Sequence, residues 1–125
     1  MSEDLYQEQI IEAAYNPANM GELGEFDVAT REVSNSCGDA FSVQIKLSTD
    51  KTVVEDLKWQ GNGCAIGMAA MSLVSSACLK KPTSLILKWG EKEMLESLSL
   101  DQISPSRSKC MMLGLRTIQS CLKKL

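Results

Sequence analysis

Histidine does not occur in this sequence. That absence removes His-based catalytic triads, imidazole general bases and every His metal ligand at once. Nor is there an apolar run near the roughly 18–20 residues of a membrane span, so a membrane partner is not expected. The opening "MSEDLYQEQ" is acidic and polar, without the basic and apolar regions of a signal or transit peptide, and the expected location is the cytoplasm. Basic surplus is missing as well. Thirteen Lys and Arg against 16 Asp and Glu leave a net charge of −3, which argues against nucleic acid as the main partner. The cysteines number five, an odd count without any sign of secretion, so a disulfide framework is not expected.

What is present suits one domain. A chain of 125 residues, 44% hydrophobic and 23% charged, has room for one core and not for two, and residues 1–125 are read as a single unit. Residues 3–14 predict a helix with Leu5, Ile10, Ile11 and Ala14 near one face, stopped by the loop "YNPANMGEL". Three stretches, 26–33, 41–47 and 52–59, carry strand-like residues. In the second, Val43, Ile45 and Leu47 alternate with Gln44 and Lys46, the pattern of a half-buried strand. Residues 64–80 are small, apolar and uncharged until Lys80, and predict a buried helix ending before Pro82. Shorter helical pieces follow through "TSLILKW" and "EKEMLESL", interrupted by Gly90. "SPSRSKC" reads as a loop, and 110–124 as a last helix with Met111, Leu115, Ile118 and Leu122 on one stripe. The expected fold class is α+β: a three-stranded antiparallel sheet with helices packed against it.

The five cysteines fall into two groups. Cys78 and Cys121 sit inside predicted helices among apolar neighbours, where a thiol behaves as a small hydrophobe. Cys37 sits instead on a predicted hairpin tip beside Asp39. Cys64 follows "GNG" at a predicted helix start, and Cys110 follows "SPSRSK" at another, with Arg107 and Lys109 close by. Helix starts favour thiolates. Three thiolates and one carboxylate make a complete tetrahedral set for zinc or a small iron–sulfur cluster. The spacing of the cysteines matches no zinc-finger pattern. Carboxylate oxygen is harder than sulfur, which makes Asp39 the natural weak point for metal exchange. The glycines of "QGNGC" either permit close backbone approach at such a site or serve a plain strand-to-helix turn. A thiol redox enzyme is poorly supported, since there is no C-x-x-C pair and no thioredoxin-like βαβ order.

Four segments, in order, resemble the U-type iron–sulfur assembly proteins (IscU, SufU and the N-terminal part of NifU). They are "YNPANMGEL", "CGDAFSVQIKL", "GNGCAIGMAAMSL" and "SRSKCMMLGLRTI". The resemblance implies a small three-stranded sheet flanked by helices, and it implies four metal ligands: Cys37, Asp39, Cys64 and Cys110. It implies zinc, iron or a [2Fe–2S] cluster as the cofactor or cargo. A cysteine desulfurase of the SufS or IscS kind is the implied sulfur donor, and downstream iron–sulfur carriers or apo-proteins are the implied acceptors. Such a protein is a scaffold or sulfur relay rather than an ordinary enzyme. Scaffold members carry His just before the third cysteine, where this chain has Lys109. Carrier members hold zinc and carry R-x-K-C, which "RSKC" matches, together with an insertion for which this chain has little room. Scaffolds receive sulfur on the third cysteine, here Cys110, and carriers on the first, here Cys37. The alternative reading is a structural zinc protein on the same ligands, without sulfur transfer.

Overall fold

The computed structural model describes residues 3–34 and 38–125, with side chains from Glu8 onward. Cys37, a predicted ligand, lies outside the described residues. The element order is α1 (Glu3–Tyr15), β1 (Val28–Val33), β2 (Ala40–Leu47), β3 (Val54–Asn62), α2 (Ala65–Cys78), α3 (Thr83–Ile86), α4 (Glu91–Ser97) and α5 (Pro105–Leu122). The sheet is an antiparallel meander in the order β1-β2-β3, and the fold class is α+β as expected.

Alternation sets the face of the sheet. Phe41, Val43, Ile45 and Leu47 of β2 all point into the core, while Lys46 is exposed. The phase of β3 changes along its length, because the register shifts where Leu47 faces Val54 and Lys46 faces Asp56. Glu55 is the extra residue of this bulge. It allows Val54 and then Leu57 and Trp59 to be buried on one face, which strict alternation would forbid. Phe41 and Trp59 meet edge to face, with ring centroids 5.6 Å apart, a favoured aromatic geometry.

Helices α2 and α5 pack on each other and against the sheet. Ala69, Ala70, Met71 and Val74 of α2 and Met111, Leu115 and Ile118 of α5 are buried there. The first helix lies along α2. Ile10 is buried, but Ile11 is 49% exposed, so the apolar face expected for α1 is narrower than its sequence suggests. No helix among the described residues is long and apolar enough to cross a membrane.

The "YNPANMGEL" segment is a strap. Ala18 N–H donates to Ser72 Oγ at 2.8 Å, and Asn19 Nδ2 donates to Ser75 and Ser76 Oγ at 2.9 and 3.0 Å. Trp59 Nε1 donates to Ala18 O, and Met20 bridges Trp59 in parallel. The strap thereby covers the outer edge of β3, a place where unpaired backbone groups would otherwise face solvent.

The last helix differs from expectation at its start. "SPSRSKC" is helical from Pro105, with Ser104 as N-cap accepting from Arg107 N–H at 3.4 Å. Proline suits the first helical position, because its fixed φ is helical and no N–H is needed there. Cys110 is therefore the sixth residue of α5, past the first turn, and not the helix start.

Candidate metal centre

Three segments meet at one end of the sheet. The β1–β2 connection closes with Ser34 N–H donating to Asp39 O at 2.8 Å and Gly38 N–H to Ser34 O at 3.0 Å, Gly38 adopting φ 74. Asp39 then enters β2, next to the last residues of β3, where Ala40 pairs with Asn62. Gly63 and Cys64 lead from β3 into α2. Cys110 comes from α5, which runs beside α2. One donor atom each from Asp39, Cys64 and Cys110 lie within 4.8 Å of one another.

Cys64 is the N-cap of α2, and its sulfur accepts from Gly67 N–H at 3.4 Å. The open N–H groups of a first helical turn favour negative charge on such an acceptor. The dipole argument does not extend to Cys110, because the effect fades within one turn. Burial differs too: Cys64 is exposed, whereas Cys110 is only 7% exposed.

Asp39 departs furthest from a hairpin-tip carboxylate. It is 3% exposed. Oδ1 accepts from Cys64 N–H at 3.2 Å, but Oδ2 is buried with no hydrogen-bond partner among the described residues. A buried carboxylate oxygen left unpaired is costly unless something else satisfies it. The backbone makes room for it. A Cβ at Gly63 would stand 2.8 Å from Oδ2, and one at Gly67 would stand 2.6 Å from it. Gly61 differs: its φ of 154 and a would-be Cβ 2.1 Å from Ala40 O make it a requirement of the strand pairing. Of the "QGNGC" glycines, one serves the sheet and one serves the site.

The donor set fits a metal. A tetrahedral zinc with bonds of about 2.0–2.3 Å needs donors roughly 3.5–3.8 Å apart, within small side-chain shifts of the observed cluster. Two thiols, a buried carboxylate oxygen awaiting a partner and a glycine cradle around that oxygen all suit such an ion. A groove of about 420 Å³ opens beside the cluster, lined by Cys64, Ile66, Arg107, Lys109 and Cys110 among others. Arg107 and Lys109 are exposed, and among the described residues no carboxylate lies within salt-bridge distance of either. They bring positive charge to the mouth of the site.

Cys78 and Cys121 belong to the core, as their sequence context predicts. Both are fully buried. Loss of hydration pushes the Cys78 thiol up to about 12 and the Cys121 thiol up to about 11, from an ordinary 9.0, with Lys81 and Lys124 pulling weakly the other way. Neither joins the cluster.

The NifU-like N terminal domain family matches residues 5–125. The chain belongs to that family. It is 28% identical over 118 residues to the iron–sulfur cluster assembly scaffold protein IscU of Aquifex aeolicus, an alignment covering 94% of this chain and 74% of the relative. It is 30% identical over 137 residues to the zinc-dependent sulfurtransferase SufU of Bacillus subtilis, covering 96% and 90%. Among solved structures, the N-terminal part of a NifU-like protein from Brucella abortus superposes with a TM-score of 0.77 at 21% identity, covering 97% of this chain and 94% of the other. That likeness carries the fold.

Gly63 and Gly67 are the site residues that sequence reasoning did not single out individually. The one available signal was Gly67 itself, a poor helix former in the first turn of an otherwise favourable helix.

Proposed function

We propose that this chain is an iron–sulfur cluster assembly protein that binds zinc, iron or a [2Fe–2S] cluster on Cys37, Asp39, Cys64 and Cys110. In this reading it accepts sulfur from a cysteine desulfurase and passes sulfur or cluster to carrier and apo-protein acceptors. The observation that carries the reading is the meeting of Asp39, Cys64 and Cys110 from three separate segments around a buried carboxylate oxygen that has no hydrogen-bond partner among the described residues. Cys37, two residues before Asp39, completes the set. Three thiolates and a carboxylate hold four negative charges, two more than a divalent ion neutralises, and Arg107 and Lys109 at the groove mouth offset the excess. When bound, the metal fixes the thiolates and tunes their reactivity.

Sulfur enters by exchange. A thiolate of this chain attacks the outer sulfur of the desulfurase persulfide, a new S–S bond forms, the old one breaks, and the desulfurase thiolate leaves. No outside oxidant is needed. Cys37 is the first acceptor in this reading. The burial of Cys110 favours that choice over the third cysteine, as does the "RSKC" match to the carrier members.

The test is metal and acid-labile sulfide analysis of protein purified without oxygen, followed by mass spectrometry after reaction with a desulfurase and cysteine. A stoichiometric metal and a persulfide on Cys37 are expected. A metal that resists exchange, with no sulfur taken up, would replace this reading with that of a structural zinc protein.

A further inference from the structure

Glycine in the first turn of a helix lowers its stability relative to alanine, so Gly67, third residue of α2, calls for a reason. Its φ is not left-handed, and backbone freedom does not supply one. The neighbours do. A Cβ at 67 would meet Asp39 Oδ2 at 2.6 Å, Cys110 O at 3.6 Å and Asp39 Cγ at 3.7 Å. These are atoms of two of the clustered residues, and none belongs to the apolar core. Gly63 is less clean, because its Cβ would also press on the Phe41 ring at 3.2 Å. Oδ1 of the same carboxylate is tied to Cys64 N–H, so the group cannot move away from a methyl at 67 without straining that bond.

We propose that Gly67 is a positioning residue for the metal centre: the bare backbone it presents is what seats the Asp39 carboxylate beside the two sulfurs. The inference rests on the metal-binding reading above and adds to it the residue that sets one ligand's place. Gly67→Ala displaces Oδ2 from its seat and so spoils the donor geometry, while the helix itself gains from alanine. The two effects separate in a double-mutant cycle with Asp39→Ala.

Zinc affinity is measured by competition with a chromophoric chelator for wild type, Gly67→Ala, Asp39→Ala and the double variant. Gly67→Ala is expected to weaken zinc binding by about tenfold in the wild-type background, the usual scale for groups that orient a ligand, and by less than about twofold when Asp39 is already alanine. Melting of the metal-free proteins gives a second reading. Gly67→Ala should raise the melting temperature by roughly a few degrees in the Asp39→Ala background and not in the wild type. Equal effects in both backgrounds, in either measurement, would overturn the proposal. Should wild type bind no zinc, the metal-binding reading fails, and the melting comparison alone decides whether Gly67 seats Asp39.

Discussion

Helix α2 with its N-cap and helix α5 each carry two cysteines, one towards each end, and the two ends have opposite chemistry. At one end Cys64 and Cys110 stand beside Asp39 and an open groove. At the other, Cys78 and Cys121 are sealed in the core with their thiols held protonated far above neutral pH. Residue type and helix are matched across the pair. The difference lies in what surrounds each sulfur: a carboxylate beside both at one end, with backbone N–H groups and solvent at Cys64, and packed hydrocarbon at the other.

The largest effect expected from this comparison is on metal content. Cys64→Ser and Cys110→Ser should each abolish stoichiometric zinc binding, whereas Cys78→Ser and Cys121→Ser should retain it. The core variants should instead lose stability by about 1–3 kcal/mol, the cost of burying a hydroxyl where a thiol packed. Metal analysis and thermal melting on the four proteins check this. Loss of zinc from a folded Cys78→Ser protein would break the division.

Reactivity should follow the same division. At pH 8 iodoacetamide should modify Cys64 in the folded, metal-free protein at least about a hundredfold faster than Cys78 or Cys121, because alkylation requires an accessible thiolate. Bound zinc should protect Cys64 and leave the slow pair unchanged. Peptide mass spectrometry over time reads both.

The core end also predicts a pH dependence. The Cys78 thiol titrates near 9.0 when unfolded and near 12 when folded, so between these values the unfolded chain has lost a proton that the folded chain keeps. Its contribution is fully present below pH 9 and is lost as pH rises towards 12, by at most about 4 kcal/mol at 1.36 kcal/mol per unit. Denaturant unfolding at pH 8 to 10.5 should therefore show a shallower decline for Cys78→Ala than for wild type. Parallel slopes would show that Cys78 does not carry this dependence.

The smallest expected effect is at the groove. Lys109→Ala should keep the zinc stoichiometry and weaken affinity by roughly threefold, less at high salt, since an exposed cation acts through screened electrostatics. Complete loss of zinc would make Lys109 part of the centre and not a neighbour to it.

Much of this was legible in the sequence. Val43, Ile45 and Leu47 show the inward face of β2 by strict alternation, and the uncharged run from Cys64 to Leu79 shows a buried helix. The two groups of cysteines separate by context alone. Other features were hidden by their dependence on distant partners. "SPSRSKC" looks like a loop because proline and serine punctuate loops, yet the same residues form a first helical turn with an N-cap. The bulge at Glu55 depends on the pairing of β3 with β2, which no local pattern records.

The sequence by itself determined most of the strand and helix content and the core stripes, because side-chain periodicity and local propensity act over a few residues, and its four matching segments implied the candidate ligands. Tertiary structure alone decided that Asp39, adjacent to a turn, would be one of the most buried polar groups. It also decided that Cys110 would reach Cys64 from the second turn of α5, and that Gly67 would leave space for a carboxylate. Those outcomes depend on how α2, α5 and the end of the sheet approach one another, and such approach distances are set by packing between segments far apart in the chain.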